Sequence, residues 1–212
     1  MITLKTGYLA VFDILGYREM TRDRESLVAT IGQIKKNKRT MKAFAEVDKN
    51  CTFSMFADTL VISSPSSISP MFPVWCYAFF RAMLRSGMPL RGAIAKGDYF
   101  HDGNLYGGAA LSDAHELAES LDFAGCILAP SAEDLAASKS DWFRLISVPI
   151  KGAGKCKMYV LRLADSDLAD PALCRQAVRK SFEGFGKRIT AGCLSKLTNT
   201  VEVLSEAAKK SP

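Results

Sequence analysis

Two aspartates in apolar surroundings are the residues of this chain whose type and spacing could support chemistry. Asp13 closes an apolar, strand-like segment over residues 8–14, and Asp58 lies between the apolar pairs Met55-Phe56 and Leu60-Val61. A carboxylate in such surroundings is costly to bury unless a cation or hydrogen-bond donors meet it. Two carboxylates at neighbouring strand ends are the hard oxygen ligands that Mg²⁺ or Mn²⁺ uses beside a phosphate. From spacing alone, the alternative stays open that Asp58 is only a hairpin-turn residue and Asp13 only a helix cap.

The predicted elements offer a way to bring these two aspartates together. A strand over residues 8–14 is followed by a helical segment over 18–48, and then by two strands over 52–63 that meet near Ala57-Asp58. The helical crossover is long enough to return the chain so that the strands lie side by side. Further helices are predicted over 71–86, 109–124 (with Gly125 as the residue after its end), 171–189 and 191–209, and further strands over 90–99, 126–129, 148–150 and 158–163.

This order of elements predicts an α+β fold, in which an antiparallel sheet in a ferredoxin-like arrangement is backed by helices. The chain has 212 residues, enough to bury a large core without metal or disulfide staples. Many functions use such a fold, so the fold by itself does not indicate what the chain does.

Composition excludes several classes of protein. Hydrophobic residues make up 48% and charged residues 24% of the chain, which excludes a disordered or collagen-like protein. Apolar runs such as Met71 to Phe80 fall short of the roughly 20 residues that a membrane span requires. The first residues show no basic-then-apolar pattern, so we expect no secretory leader, and the six cysteines form no CxxC pair. We therefore expect a cytoplasmic protein without a membrane partner.

The net charge of +6 is a mild bias for a chain of this length. The densest basic cluster falls in the helical segment over 18–48, at Lys35, Lys36, Lys38, Arg39 and Lys42. Apolar residues recur through that segment at helical spacing, which favours a solvated face of an amphipathic helix. Attraction of a polyphosphate or polynucleotide is the alternative, but the weak charge bias argues against a nucleic-acid partner.

Five motifs in order along the chain resemble the class III nucleotide cyclase domain. They read VFDILGY from Val11, SMFADTLVIS from Ser54, LRGAIAKGD from Leu90, LYGGAALSDAHELAES from Leu105 and VPIKGAGKCKMYVL from Val148. The family has F-x-D-I-x-G-F, a hairpin with a second metal aspartate, R-x-G-I-x-x-G, a helix with V-N-x-A-x-R and a closing V-x-V-K-G hairpin. The similarity covers about residues 8–163. Within the family, the chain looks most like the pyrimidine cyclases of bacterial antiphage defence (the Pycsar type).

The resemblance implies a catalytic domain over residues 1–165 and a helical extension over 166–212 packed on it. Two Mn²⁺ or Mg²⁺ ions would bind Asp13 and Asp58, with the backbone carbonyl of Ile14 as a further ligand. Gly16 suits the close approach of backbone amides to the β- and γ-phosphates. The implied substrate-binding residues are Phe12, Leu15, Gly16, Tyr17, Ser54, Asn104, Ser112, Lys151 and Lys155, the two lysines being alternative partners of the triphosphate.

The chain departs from the purine-specific members of that family at the base pocket and at the transition-state residues. Ser54 stands where they have a base-reading lysine, and their base-reading acid falls near Asn104. Their transition-state asparagine and arginine fall at Ser112 and Glu116. Losing a matched polar partner can change substrate preference by orders of magnitude. The missing purine readers favour a pyrimidine, UTP before CTP.

A cation must then come from elsewhere to meet the developing negative charge. The candidates are Arg91, Lys96 and a basic residue of a partner subunit. The alternative for each is that it only occupies an ordinary position on the surface or at a strand edge. His101 and His115 have no partners at metal-ligand spacing in the sequence. His101 is expected in an exposed turn, and His115 on the polar side of its helix.

The resemblance thus implies a uridylate cyclase that converts UTP to 3′,5′-cyclic UMP and pyrophosphate as a second-messenger synthase in antiphage defence. It also implies a homodimer with composite active sites and a downstream cyclic-nucleotide-responsive effector. Three alternatives remain: a cytidylate cyclase that makes cyclic CMP from CTP, a catalytically silent nucleotide-binding module, and an RNA-binding α+β domain. The last lacks the aromatic-rich central strand of an RRM.

Overall fold

One mixed sheet organises the part of the chain that a computed structural model describes, which is residues 3–47, 51–65, 71–103, 105–138, 140–163, 170–183 and 191–209. The strands are β1 (Lys5–Ile14), β2 (Thr52–Phe56), β3 (Thr59–Pro65), β4 (Leu90–Asp102), β5 (Leu105–Gly107), β6 (Gly125–Leu128), β7 (Phe143–Ile150) and β8 (Gly154–Leu161). Their order is β2-β3-β1-β4-β6-β8-β7, with β5 paired to the far end of β4. All pairs are antiparallel except β4 with β6, which confirms the predicted α+β fold with a single parallel pair added.

Helices cover this sheet. They are α1 (Tyr17–Met20), α2 (Arg24–Val47), α3 (Phe72–Arg85), α4 (Ala109–Ser120), α5 (Asp134–Ser138), α6 (Pro171–Phe182) and α7 (Ala191–Ala208), with 3₁₀ turns at Pro130–Ala132 and Ser140–Trp142. The helical segment predicted over 18–48 is divided, because Asp23 caps a new helix. Its carboxylate accepts a hydrogen bond from the Ser26 backbone N–H at 2.9 Å.

The alternation of side chains along β1 decides which face of the sheet carries the site. Tyr8, Phe12 and their even-numbered neighbours join the main core, which includes Phe79 of α3. Leu9 and Val11 pack instead in a second cluster with alanines of α4. Because successive side chains of a strand point to opposite faces, Asp13 belongs to the row that faces α4.

A glycine allows α4 to begin close against β4. Gly108 has φ 121, a backbone conformation that side chains rarely adopt. A Cβ at this position would lie 2.4 Å from the Asp98 carbonyl oxygen and 2.7 Å from the Tyr99 Cα. Because α4 begins so close to β4, Ala110 and Ala114 are fully buried against the sheet.

The end of α4 differs from the sequence prediction. The helix stops at Ser120 rather than at residue 124, and Gly125 begins β6 instead of following a helix end. Leu121 takes an extended backbone and bridges to Ile150, and its side chain is fully buried. Tertiary burial of Leu121 and Phe123 therefore overrides the local helical pattern.

The C-terminal helices share the core of the sheet. Cys174 and Val178 of α6 and Leu197 and Val201 of α7 are buried in the main core. The Ala124 backbone N–H also donates to Thr200 Oγ1 at 2.8 Å. The predicted domain boundary at residue 165 falls outside the described residues. Among the described helices, none has the length and apolar character needed to cross a bilayer.

Candidate active site

Asp13 lies at the end of β1 with a polar partner on each neighbouring strand. The sheet register places it opposite Thr59 of β3 and Arg91 of β4, so the three side chains share one face. Thr59 Oγ1 donates to Asp13 Oδ1 at 2.9 Å, and Arg91 Nη2 donates to Oδ2 at 3.3 Å. The residue is only 7% exposed. The buried carboxylate thus has the donors and the cation that its burial requires, whereas the N-cap of α1 is Gly16.

Asp58 occupies the turn between β2 and β3, where the sequence predicts it. Ala57, the other turn residue, has φ 51, in the left-handed region. The Ile14 backbone N–H donates to the Asp58 carbonyl oxygen at 3.1 Å. This bond ties the hairpin turn to the end of β1, so Asp58 and Asp13 come from chain segments in direct contact.

Helix α4 adds two ligand-type side chains next to Asp13. His115 and Glu119 are four residues apart and therefore lie on one face of the helix. The ligand atoms of Asp13, His115 and Glu119 all lie within 4.8 Å of one another. His115 therefore has two neighbours that could share a metal ion with it, and the interpretation that it lacks such partners was wrong. The i,i+4 spacing of the pair was a signal in the sequence, but its closeness to Asp13 depends on how α4 packs.

Two cations meet at the carboxyl end of α4. Arg91 Nη1 donates to the Glu119 carbonyl oxygen at 3.1 Å, and Lys151 Nζ hydrogen-bonds to the same oxygen. Burial, together with the nearby charges of Arg91 and Lys196, lowers the pKa of Lys151. A helix carboxyl end favours cations because its last carbonyls are unpaired. Arg91 therefore joins Asp13 to α4, and Lys151 is a second cation beside it.

A cavity of about 510 Å³ opens beside this cluster. Its walls are mainly apolar and aromatic, with a few polar groups: Phe56, Thr59, Val61, Leu105, Tyr106, Leu111, Ser112 and His115. Thr59 donates to Asp13 and His115 lies within reach of its carboxylate, so the cavity adjoins the acidic cluster. Its volume and lining are typical of a site for a small organic ligand.

Tyr106 is a cavity residue that the sequence did not point to. Its hydroxyl lies 2.7 Å from Thr52 Oγ1 and accepts a longer hydrogen bond from Ser54 Oγ at 3.4 Å. Ser54 is 8% exposed and does not line the cavity, whereas Tyr106 does. Predicted Ser112 does line the cavity, and predicted Asn104 lies outside the described residues.

Only part of the predicted phosphate-binding segment has groups that are available to contact a phosphate. The Phe12 side chain is fully buried in the core on the face opposite Asp13, so it cannot contact a ligand there. The Leu15 backbone N–H donates to the Pro89 carbonyl oxygen at 2.8 Å and is not free for a phosphate. Gly16, with φ 76, and the residue after it remain as candidates for this role.

The lysines predicted as site residues lie at different distances from Asp13 and Arg91. Lys96 binds Asp134 and lies 5.4 Å from the centre of the Tyr8 ring. It is five residues from Arg91 along β4, roughly 17 Å away and on the other face, so one chain does not bring Lys96 to Asp13. Lys155 Nζ lies 3.5 Å from Glu202 Oε2 of α7. Of the two hairpin lysines, Lys151 is the one beside Arg91.

Comparisons with known proteins find similarity in structure alone. No protein-family model and no curated protein matches the chain. The adenylate cyclases of Trypanosoma brucei, in their monomeric state, match with a TM-score of 0.57 at 15% identity, over 76% of this chain and 90% of theirs. The guanylate cyclase domain of RhGC from Catenaria anguillulae, solved with GTP, matches with a TM-score of 0.54 at 13% identity, over 75% of this chain and 97% of that one.

A bacterial cyclase gives the same result. The adenylyl cyclase CyaB from P. aeruginosa matches with a TM-score of 0.53 at 13% identity, over 76% of this chain and 95% of that one. At such low identity these likenesses establish architecture and not activity. The chain therefore has the fold of the class III adenylyl and guanylyl cyclase domains.

Proposed function

We propose that this chain is a nucleotide cyclase that converts UTP to 3′,5′-cyclic UMP and pyrophosphate. The observation that carries the proposal is the buried Asp13 carboxylate, held by Thr59 and Arg91 beside a ligand-sized cavity in a cyclase fold. A role in antiphage defence rests on the sequence resemblance alone, as do the homodimer with composite sites and the downstream effector.

The buried Asp13 carboxylate offers the oxygen ligands that divalent ions prefer. Asp13 and Asp58 would hold two such ions, with the Ile14 carbonyl oxygen as a further candidate ligand. Each Asp13 oxygen accepts one hydrogen bond, which leaves lone pairs for a cation. Bound Mn²⁺ or Mg²⁺ would supply charge stabilisation at the phosphates and lower the pKa of the ribose 3′-hydroxyl.

The reaction needs positive charge where the pyrophosphate leaves. The 3′-oxygen forms a bond to the α-phosphorus, the bond from that phosphorus to the bridging oxygen breaks, and the hydroxyl proton passes to water. Arg91 donates to Asp13, and Arg91 and Lys151 both donate to the Glu119 carbonyl oxygen. Fixed cations act here by meeting charge as it develops on the phosphate oxygens. We assign Arg91 the transition-state role and Lys151 the triphosphate contact.

The cavity walls suit a nucleobase, and the preference for a pyrimidine comes from the missing purine readers. Aromatic rings of Phe56 and Tyr106 face the cavity, packed edge to face with centroids 6.3 Å apart. Such rings can stack on a base, and the Tyr106 hydroxyl and Ser112 offer neutral hydrogen-bonding groups. A charged purine reader is absent at Ser54.

Incubation of the purified chain with all four nucleoside triphosphates and Mn²⁺ tests the proposal directly. We expect mass spectrometry to find cyclic UMP and pyrophosphate. Cyclic CMP in its place would establish the cytidylate cyclase, and tight nucleotide binding with no product would establish the silent binding module. A chain that neither binds nor converts any of the four would refute the assignment.

Lys151 should control how triphosphate affinity depends on pH. Replacing it with glutamine is expected to raise the Kd for a non-cyclisable UTP analogue roughly tenfold, the value of one charge-assisted contact. Because burial and neighbouring cations lower the pKa of Lys151, wild-type affinity should weaken as pH rises, starting below the range where an ordinary lysine titrates.

The matched control for this prediction is Lys155→Gln. Lys155 lies on the same hairpin but pairs with Glu202, so its removal should change affinity little. Titrations of the three proteins from pH 7 to 10 make the comparison. Equal losses in both variants, or a pH response that survives Lys151→Gln, would contradict the assignment of Lys151.

A further inference from the structure

We propose that Asp13, His115 and Glu119 together bind one divalent transition-metal ion, so that helix α4 supplies ligands to the metal site. The inference deepens the proposed function, from which it takes the reason for an ion at Asp13. Binding of the ion itself requires no nucleotide and no turnover.

The distances among the three side chains suit a shared ion. Their ligand atoms lie within 4.8 Å of one another, and His115 Nδ1 is 3.9 Å from Glu119 Oε2. Atoms that bind one ion at about 2.0 to 2.3 Å lie no more than about 4.5 Å apart. The side chains of His115 and Glu119 are 45% and 57% exposed, so they have room for the small movement that is needed.

The partners already present leave these ligand atoms available. Thr59 and Arg91 take one position on each Asp13 oxygen, and a carboxylate has about four. Arg91 and Lys151 meet Glu119 at its backbone carbonyl, not at its carboxylate. A cation between the two carboxylates would also relieve their mutual repulsion.

The mixed donor set indicates which metals the site would prefer. Mg²⁺ favours oxygen ligands in strict octahedral geometry, whereas Mn²⁺, Co²⁺ and Zn²⁺ accept an imidazole nitrogen. With three protein ligands, positions remain for water or a phosphate oxygen. We therefore expect the chain to prefer Mn²⁺ to Mg²⁺, and this preference to depend on His115.

Titration of the full chain with Mn²⁺ alone, in the absence of nucleotide, tests the site. The signal of free Mn²⁺ in electron paramagnetic resonance gives the Kd. We expect His115→Ala and Glu119→Gln each to raise this Kd at least about tenfold, since even outer-sphere partners contribute that much to metal affinity. Competition with Mg²⁺ should show that His115→Ala affects Mg²⁺ less than Mn²⁺.

The control is Asp113→Asn, which removes an exposed carboxylate from the same helix outside the cluster. Its Kd should equal that of the wild type, and metal-free thermal unfolding should show all variants folded. The proposal is overturned if the wild type binds no Mn²⁺, or if His115→Ala and Glu119→Gln bind it as tightly as the wild type does. His115-dependent Mn²⁺ binding in a chain that makes no cyclic nucleotide would refute only the proposed function.

Discussion

Replacing Asp58 with alanine is expected to lower the rate of cyclic-nucleotide formation at least about a thousandfold while leaving the fold intact. A metal ion contributes several kcal/mol to stabilising a phosphoryl transition state, and about 4 kcal/mol corresponds to a thousandfold in rate. The structural contact of Asp58 with β1 uses its backbone carbonyl, which alanine retains. The side chain is half-buried in a turn, so its loss leaves no core cavity.

Initial rates with UTP and Mn²⁺, together with thermal unfolding curves, measure both parts of this prediction. Asp141→Ala is the matched control, because Asp141 is exposed and its backbone carbonyl also accepts a hydrogen bond, from Arg162. That variant should keep full activity. Full activity in Asp58→Ala would remove Asp58 from the site.

Replacing Arg91 with alanine is expected to lower the free energy of unfolding by about 1 to 3 kcal/mol, the cost of leaving a buried polar group without its partner. The change removes the cation from the buried Asp13 carboxylate and also removes a donor from the carboxyl end of α4. Urea unfolding of the wild type and the variant measures the loss.

A second substitution tests the cause of that loss. If the unpaired Asp13 charge is responsible, adding Asp13→Asn to Arg91→Ala should restore part of the stability. Arg179→Ala removes an arginine from an exposed ion pair with Glu183 and should change stability little. An Arg91→Ala protein as stable as the wild type would show that the pair with Asp13 contributes nothing to the fold.

The sequence predicted the strands that carry the two aspartates, because β1 and the β2–β3 hairpin follow local rules. The apolar run before Asp13 and the short turn at Ala57-Asp58 need only alternation and turn chemistry to be recognised. The α+β fold with helices behind the sheet was also predicted, and Ser112, which the motifs indicated, lines the cavity.

The partners of these residues could not be predicted, since they depend on register and packing. Thr59 and Arg91 meet Asp13 because each lies directly opposite it in the sheet, and a shift of one residue would turn them away. The same alternation carries Lys96 to the far face. His115 comes within reach of Asp13 only because α4 lies close on β1 and β4, which no spacing in the sequence shows.

Anomalous diffraction from crystals grown with Mn²⁺ and a non-cyclisable UTP analogue would show most directly whether Asp13 and Asp58 hold cations beneath a triphosphate. We expect manganese peaks within bonding distance of both carboxylates, with analogue phosphate oxygens on the same ions. A triphosphate bound elsewhere, or analogue density at this cavity with no manganese at Asp13, would contradict the proposed catalytic site.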